Sequence, residues 1–501
     1  MAIETELKLR IAPEHLARLK RHPFLRSLSS ERATTRKLYS VYFDTPDLQL
    51  HHHRMALRLR RVGKQWLQTL KGGGGVQAGL HQRNEWETPV ASEKLDFAAL
   101  EALGATHLPL SIQQQVKPLF VTDFTRSIRM VEFEGALIEM GLDSGEIRAG
   151  KASHPISELE LELKSGEPLQ LFRLALALLD IVPLEIETTS KAEYGYHLHA
   201  PIKPVVSKAQ TIKLDTQTSV ADALQSMIWS CLFHLQANVP GALKKADDEY
   251  LHQVRVALRR LRVVLNMVAK HHADTELEYL NDTIAKLGSA LGRSREWDIF
   301  VTEILPPILK DTVGHAGLMA LARKSEKHRQ DSHQLVHAAL KTSDFPRLLL
   351  RFGAWMNGNY WEKFSHAGDL SQFAQQVLHR HSHKMHRRGE GIQGEVNNEQ
   401  LHKLRIACKN LRYSTELFVS LPGLVINDKQ LKKLTKLQDI LGKLHDNAVA
   451  LQLLDELIQE ADHKTGKQIR DEIKCSHLKQ LKELRKEWQK LSEPFHKNGR
   501  P

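Results

Sequence analysis

The alternation of hydrophobic and polar residues changes character near residue 200. Before that point a period of two residues recurs in short segments, which is typical of β-strands with one buried and one polar face. These segments include IETELKL, ALRLRR, WLQTLK, HQRNEWE, ALIEMGLD and ELELELK. Helical patterns are fewer here, at about 13–20, 97–103, 111–116 and 168–179. The sequence therefore predicts an antiparallel β-rich domain with flanking helices at 1–200.

Beyond residue 200 the strand patterns disappear. The stretch 201–214 contains two prolines and is predicted to be a linker. After it, hydrophobic residues recur with a period of 3.6, which predicts long helices and an all-α domain at 215–495. A chain of 501 residues also exceeds what one hydrophobic core usually covers. We therefore expect an α+β multidomain protein.

An internal repeat runs through the helical part. The pattern HxxRVAxRxLR at 252–262 recurs as HxxRIAxKxLR at 402–412, an offset of 150 residues. The same offset places Glu296 on Asp446 and Leu291 on Leu441. Several matches at one offset indicate a duplicated structural unit, so two repeated helical bundles are predicted.

Composition and charge limit the classes of binding partner and the cellular compartments that we expect for this protein. The formal net charge of +12 favours an anionic partner, such as nucleic acid, an acidic membrane face or a phosphate-rich molecule. Three widely spaced cysteines exclude a disulfide scaffold and a cysteine-rich zinc site. The longest apolar stretch, 174–182, is too short to cross a bilayer, and the first ten residues lack the apolar segment of a signal peptide. A soluble cytoplasmic protein without membrane binding is expected.

Charged residues, with Thr69 among them, lie at even spacing along the predicted strands, so each set shares one face. The sets are Glu4, Glu6 and Lys8; Arg58 and Arg60; Thr69 and Lys71; Arg83, Glu85 and Glu87; Glu139 and Asp143; and Glu158, Glu160 and Glu162. For one strand, a solvated face explains such a pattern. If the sheet closes into a barrel, however, all of these faces line its interior. Crowded carboxylates there need cations, and Arg and Lys bind phosphoryl oxygens, so the interior suits a polyphosphate with Mg²⁺ or Mn²⁺.

The order of these motifs resembles the CYTH, or triphosphate tunnel metalloenzyme, superfamily. Glu4-x-Glu6-x-Lys8 corresponds to its ExExK signature. The later elements follow in the same order: YFDT at 42–45, RLR at 58–60, Lys71, Arg83-x-Glu85, a segment ending at Arg126, ELELEL at 158–163 and SKA at 190–192. The helical half resembles a CHAD domain. The whole chain is similar to bacterial CYTH–CHAD inorganic triphosphatases.

The resemblance implies an eight-stranded antiparallel β-barrel that hydrolyses triphosphate to pyrophosphate and phosphate with Mg²⁺ or Mn²⁺. It implies that the triphosphate is bound by Lys8, Arg58, Arg60, Lys71, Arg83, Arg126 and Lys191. It implies metal binding by Glu4, Glu6, Glu160 and Glu162, with Glu85, Glu87, Glu139, Asp143 and Glu158 as further acids of the lumen. Glu4, Glu6 and Lys8 are the expected catalytic residues, with Glu4 or Glu6 orienting or deprotonating the attacking water.

Basic residues form a stripe on each copy of the helical repeat. The stripes are His252, Arg255, Arg259 and Arg262, and His402, Arg405, Lys409 and Arg412, with Lys286 and Lys436 expected beside them. Like charges at these spacings repel, so their occurrence in both copies favours an anionic partner over a solvated face. The CHAD resemblance implies that this partner is polyphosphate.

Other functions remain open at this stage. The same tunnel can serve a thiamine or nucleoside triphosphatase or a class IV adenylate cyclase. A non-catalytic polyphosphate-binding protein and an RNA-binding protein are further alternatives. Aromatic residues make up only 6% of the chain, which argues against nucleic-acid binding by base stacking.

Overall fold

The structure, a computed structural model, describes residues 2–77, 79–105, 107–201, 204–244, 248–310, 316–364, 368–424, 428–458 and 463–490. The chain divides into two compact units. The first contains residues 1–205 and 342–360, and the second contains 206–341 and 361–501. Among the described helices, none combines the length and apolar character needed to cross a bilayer.

A closed β-barrel forms the first unit. Its strands are β1 (Ala2–Ile11), β2 (Thr34–Asp44), β3 (Met55–Val62), β4 (Gln65–Gln77), β5 (Leu80–Val90), β6 (Lys117–Phe133), β7 (Ala136–Ala149), β8 (Ala152–Ser165) and a short β9 (Leu184–Ile186). The order is β5-β4-β3-β2-β6-β7-β8-β1, and pairing of β1 with β5 closes the sheet, while β9 pairs with the end of β1. All of these pairings are antiparallel. The predicted eight-stranded antiparallel barrel is confirmed.

Short helices pack against the strands of the barrel. They are α1 (Pro13–Arg21), α2 (Pro23–Ser27), α3 (Gln49–His52), α4 (Phe97–Ala102), α5 (Leu110–Gln113), α6 (Pro168–Leu179) and α7 (Lys191–His199). The hydrophobic pattern predicted α1, α4, α5 and α6. It missed α7, which packs on β6, β7 and β8 through Gly195: a Cβ there would lie 2.1 Å from the ring of Phe120.

The alternation of β1 separates its two faces. Leu7 and Leu9 are fully buried on the outer side, where α6 covers β1 and β8. Glu6 and Lys8 point to the other side and face the barrel interior. Because side chains alternate strictly along a strand, the packed apolar face fixes the charged face in the lumen.

The regular structure in the described part of the second unit consists of helices, which repeat with the predicted offset. Its helices are α8 (Val220–Leu243), α9 (Asp248–Ala269), α10 (Thr275–Ile299), α11 (Leu305–Lys310) and α12 (Ala316–Lys341), and, after an interposed helix α13 (Asp344–Met356), α14 (Leu370–Gly389), α15 (Asn398–Leu417), α16 (Asp428–Ile458) and α17 (His463–Gln489). Both α8 and α14, and both α9 and α15, begin 150 residues apart. The two copies share a core in which Trp297 and Phe300 pack with Leu453 and Leu454.

The interposed helix α13 belongs to the first unit, although it lies between the two helical repeats in sequence. It packs on α6, where Gly353 allows the Phe172 ring to approach: a Cβ at Gly353 would lie 2.1 Å from that ring. Arg347 also binds Asp180 at 2.7 Å. The region 215–495, which the sequence assigns to a single domain, is therefore interrupted by a segment of the barrel unit.

Candidate active site and basic cleft

The barrel encloses a cavity of about 260 Å³ that is lined mainly by charged side chains. The basic members of the lining are Lys8, Arg58, Arg60, Lys71, Arg83, Arg126, Lys164 and Lys191. The acidic members are Glu4, Glu6, Glu85, Glu87, Glu139, Glu160 and Glu162. Opposite charges are thus nearly balanced, and most of the basic groups are held in place by carboxylates.

One ion-pair network lies on β1, β3, β4 and β5. Lys71 contacts Glu4 and lies 3.2 Å from Glu85. Arg58 is 3.5 Å from the same Glu85 carboxylate. Arg58 also donates to the hydroxyl of Thr69 at 3.3 Å, and that hydroxyl donates to Glu87 at 2.8 Å. These contacts orient the two cations towards the lumen.

A second network lies on β1, β6, β7 and β8. Arg126 donates two hydrogen bonds to Asp143, at 2.7 and 2.6 Å, and also contacts Glu160. Lys8 binds Glu160 and lies 2.9 Å from Glu6. Burial alone would raise the pKa of Glu160, but Arg126 and Lys8 hold it well below its usual range. Glu160 is therefore ionised at any working pH.

Lys191, at the start of α7, completes this second network. Its ammonium lies 2.8 Å from Asp143 and 2.9 Å from Glu160, and it contacts Glu158. Asp143, Glu158 and Glu160 have oxygens within 4.8 Å of one another, which is compatible with a metal ion. Lys191 and Arg126 already neutralise this group, so its carboxylates serve first to position the two cations.

A row of glutamates crosses three adjacent strands. Glu6 on β1 lies opposite Glu162 on β8, and Glu162 lies opposite Glu139 on β7. Lys164 is near two of them, at 2.5 Å from Glu162 and 3.6 Å from Glu139. Burial, together with Glu4 and Glu139, raises the pKa of Glu162 despite Lys164. Like charges directly opposite are destabilising, and carboxylate oxygens are the ligands of Mg²⁺ and Mn²⁺, so this donor set fits such an ion.

Two arginines of the lumen have no carboxylate partner among the described residues. Arg60 donates to the hydroxyl of Ser40 at 3.2 Å, and Arg83 lies 3.3 Å from Nδ1 of His81. Burial and the charge of Arg58 lower the pKa of Arg60 to about 10. Burial and Lys8 lower the pKa of His81 to about 3, so the ring is neutral and its Nδ1 can accept from Arg83. Both guanidinium groups are available to an anion.

The second unit contains a larger basic cleft of about 1120 Å³. Its basic lining includes Lys208, His252, Arg255, Arg259, Arg260, Arg262, Arg295, Arg405, Lys409, Arg412, Lys443 and His445. Arg255, Arg259, Arg405 and Lys409 form no salt bridge within the described part of the chain. The cleft thus concentrates positive charge that the protein leaves largely unpaired.

The crowding of positive charges in the cleft lowers the pKa of several basic groups, and some of their donors have no hydrogen-bond partner among the described residues. Burial and Arg259 lower the pKa of Arg255 to about 10. Burial and Arg405 lower the pKa of Lys409 well below its usual value. The Nε atoms of Arg255 and Arg405, which occupy equivalent positions in the two repeats, are buried and have no hydrogen-bond partner in the described part of the chain. Such unsatisfied donors are costly, and an anion would satisfy them.

Comparisons with known proteins identify both regions. Residues 2–196 match the CYTH domain family, and residues 226–455 match the CHAD domain family. The chain joins a CYTH domain to a CHAD domain.

Several individual proteins are similar to parts of the chain. An inorganic triphosphatase from Haemophilus influenzae is 37% identical over 200 residues, which is 40% of this chain and 55% of that relative's length. The crystal structure of the CHAD domain from the plant Ricinus communis is 27% identical, covers 58% of this chain and 98% of that one, and has a TM-score of 0.49. A Hippeastrum protein, described as an adenylyl cyclase candidate with a dominant triphosphatase activity, is 19% identical over 38% of this chain and 92% of its own, with a TM-score of 0.29.

Most of the residues expected in the CYTH lumen do line its cavity. The exceptions are Asp143 and Glu158, which lie behind Lys191 and are almost fully buried. Sequence reasoning missed Lys164 and Tyr42, which also line the cavity. Lys164 continues the alternate series of β8 beyond Glu162, so the same period-two pattern could have found it.

In the CHAD domain both stripes contribute to the cleft, but not completely. Lys286, His402 and Lys436 are not among its lining residues. Lys436 instead binds Glu487 at 3.0 Å. Arg295 and His445 were missed, although they are related by the same offset of 150 residues. A search of the repeat for basic residues at equivalent positions would have found this pair.

Proposed function

We propose that the CYTH domain hydrolyses inorganic triphosphate to pyrophosphate and phosphate, and that the CHAD domain binds polyphosphate in its basic cleft. The observation that carries the first proposal is the pairing of two arginines without carboxylate partners, Arg60 and Arg83, with a glutamate row in one closed lumen. The arginines supply charge-assisted hydrogen bonds to phosphoryl oxygens. Phosphoryl transfer depends chiefly on such positioning and charge neutralisation.

The remaining cations bind the substrate from fixed positions. Lys71, Arg58 and Arg126 are each held by at least one carboxylate, which limits their side-chain freedom before the substrate arrives. Preorganised charges of this kind stabilise a transition state because they need not reorient during the reaction. The predicted binding set of Lys8, Arg58, Arg60, Lys71, Arg83, Arg126 and Lys191 is consistent with these contacts and is proposed here.

Glu4, Glu6, Glu160 and Glu162 would hold Mg²⁺ or Mn²⁺. A bound ion of this type activates water and neutralises developing charge on phosphoryl oxygens. Among these four residues, Glu162 gives the clearest sign that a cation would be favourable here, because burial and neighbouring acids raise its pKa. Glu4 or Glu6 would orient the attacking water, and Lys8 holds Glu6 in place at 2.9 Å.

The size of the lumen supports a small substrate. At about 260 Å³, the cavity lies below the roughly 300–1,000 Å³ that is usual for drug-sized ligands. A bare triphosphate needs no room for a base or a thiazole ring. We therefore expect kcat/KM for triphosphate to exceed the values for ATP and thiamine triphosphate by more than tenfold. A nucleotide preference of that size would instead favour the nucleoside triphosphatase.

The catalytic assignment is tested by changing Glu4 and Glu6 to Gln together. Loss of two carboxylates at the metal site should lower kcat by roughly 100-fold or more, a typical cost of removing one electrostatic stabiliser. Phosphate release with Mg²⁺ and with Mn²⁺ is the measurement. The matched control changes Glu31 and Glu93 to Gln, since both are exposed glutamates of the same unit. Unchanged turnover in the lumen variant would leave the domain as a receptor only.

The polyphosphate proposal rests on the unpaired charge of the cleft. Binding should weaken steeply as salt concentration rises, because contacts to a polyanion release counterions. Competition between long-chain polyphosphate and RNA distinguishes the two polyanions: displacement of RNA by polyphosphate at equal phosphate concentration is expected. We also propose a cytoplasmic location, which the unpaired state of Cys231, Cys408 and Cys475 supports.

A further inference from the structure

A second group of metal-ligating side chains lies in the CHAD domain, outside the basic cleft. Asp248 begins α9, Asp298 lies near the end of α10, and His333 lies on α12. One ligand atom from each of them lies within 4.8 Å of the other two. A cavity of about 210 Å³ adjoins the group, and Asp248, His333 and His337 are part of its lining. The arrangement brings three helices together at one point.

The Asp298 carboxylate is incompletely satisfied. Asp298 is only 1% exposed. Its Oδ1 lies 2.8 Å from Nε2 of His333 and 2.9 Å from Nε of Arg329. Its Oδ2 is buried and has no hydrogen-bond partner among the residues that the structure describes. A buried carboxylate oxygen without a partner is unfavourable, so this oxygen indicates that a cation belongs beside it.

The group occurs in the first repeat and not in the second. At the offset of 150 residues, Asp298 corresponds to Ala448 and His333 corresponds to Glu483. A π-helical turn, Phe300–Ile304, begins two residues after Asp298. Such turns often occur at functional sites. Because the duplicated scaffold does not require these residues in its other copy, packing of the bundle alone does not account for them.

We propose that Asp248, Asp298 and His333 bind one divalent transition-metal ion, with His337 as a further ligand. One imidazole and two carboxylates are ligands that Zn²⁺ accepts, whereas Mg²⁺ disfavours imidazole. His337 lies four residues after His333 and therefore on the same face of α12, the spacing of paired histidine ligands in helices.

Arg329 competes with the ion for these carboxylates. Its guanidinium bridges Asp298 at 2.9 Å and Asp248 at 3.0 Å. It also lies 3.4 Å from Glu326, which can retain it when an ion takes the two aspartates. The site is thus distinct from a simple salt bridge in one testable way. Removing Arg329 frees ligands for a metal, whereas it only leaves buried charge unpaired if no metal binds.

The test uses the full-length chain with Zn²⁺ as the probe. Equilibrium dialysis followed by elemental analysis counts bound ions in the wild type and in Asp298→Asn, His333→Ala and His383→Ala. His383 is an exposed histidine on α14 with its own neighbour at i−4, His379, so it reports adventitious binding. We expect Asp298→Asn and His333→Ala to lose one ion per chain while His383→Ala retains it. Equal counts in the wild type, Asp298→Asn and His333→Ala would overturn the proposal.

Arg329→Gln gives an independent result. If the proposal is right, this variant binds Zn²⁺ about tenfold more tightly than the wild type in calorimetry, and Zn²⁺ restores its melting temperature. If the variant is destabilised and Zn²⁺ neither binds more tightly nor restores the melting temperature, Arg329 is only a structural counter-ion and no metal site exists. Circular dichroism before titration confirms that each variant is folded.

Discussion

The CYTH lumen and the CHAD cleft are both rich in basic side chains, but they treat charge in opposite ways. In the lumen, acidic and basic side chains lie next to each other around the barrel. Arg126, for example, binds two carboxylates. In the cleft, Arg255, Arg405 and Lys409 lie close together, and burial and neighbouring cations lower the pKa of each. Among the described residues, most cations of the lumen are paired with carboxylates before a ligand binds, Arg60 and Arg83 being the exceptions, whereas the central cations of the cleft are not paired.

The difference follows from what each site would have to do. A catalytic lumen must hold a few phosphoryl oxygens in one geometry, and ion pairs across neighbouring strands fix the cations before the substrate binds. A site for a long polyanion needs a positive electrostatic potential more than exactly placed side chains, since each phosphate of the polymer resembles the next. Unpaired cations provide that positive potential, and a bound anion reduces the repulsion between them.

Replacing Arg126 by Met should show the largest effect on the lumen. The change leaves Asp143, which is fully buried, and Glu160 without their main counter-ion. Removing one partner of a buried ion pair usually costs about 3–5 kcal/mol in the free energy of unfolding. Urea unfolding of the CYTH domain within the full chain measures this. The control is Arg148→Met, whose partner Asp123 lies 3.6 Å away at the surface, and a loss below about 1 kcal/mol is expected there. Equal losses would mean that the lumen pairs are not structural.

Replacing Lys409 by Met in the cleft should not destabilise the fold, in contrast to Arg126→Met in the lumen. Lys409 is surrounded by Arg405, Arg259 and Arg255, and burial adds to the cost of its charge. We therefore expect the free energy of unfolding to stay constant or rise. Affinity for polyphosphate should fall about tenfold, which corresponds to about 1.4 kcal/mol of binding free energy.

The matched control for this variant is Lys403→Met on the same helix. Lys403 is exposed and pairs with Glu399 outside the cleft, so both stability and affinity should change little. If Lys409→Met destabilises the fold as strongly as Arg126→Met, the crowding of the cleft is compensated by contacts within the protein. In that case the contrast between the two sites would not hold.

Much of the lumen could be predicted because a strand has only two faces. Once Leu7 and Leu9 are assigned to the packed side of β1, Glu6 and Lys8 must face the interior. The pairing of charges could not be predicted in the same way. It depends on register, such as Glu6 opposite Glu162, and on the helix α7, whose short pattern around Gly195 gave no helical signal.

The residues of the cleft were harder to predict, because a sequence pattern fixes which residues share a face of one helix but not how that helix is rotated relative to its neighbours. Within α9 the spacing of His252 and Arg255 fixes their shared face, and both line the cleft. Lys286 lies on α10, whose rotation relative to α9 depends on packing, and it is exposed outside the cleft. Similarly, no pattern of hydrophobic residues indicates that α13 packs on the barrel unit, since its apolar face would fit either unit.

Proton uptake offers the finest comparison of the two sites. Burial and nearby arginines lower the pKa of His252 to about 4, and burial and Arg405 lower that of His445 to about 3. Both rings are therefore neutral at pH 5.5 in the free protein. A bound polyanion favours the charged form and raises both pKa values, so binding at pH 5.5 should take up a fraction of a proton, and the uptake should vanish as pH rises above 7.

Calorimetry in buffers of different ionisation enthalpy measures this uptake, and His445→Gln should reduce it. Triphosphate binding to the CYTH lumen is the internal reference. There the neutral ring of His81 lies 3.3 Å from Arg83 and 3.3 Å from the carbonyl of Glu187, and protonation would break its contact with Arg83. His81 should therefore stay neutral when triphosphate binds. Uptake that His445→Gln leaves unchanged would mean that the histidines of the cleft do not sense the polyanion, and that its arginines and lysines alone provide the binding potential.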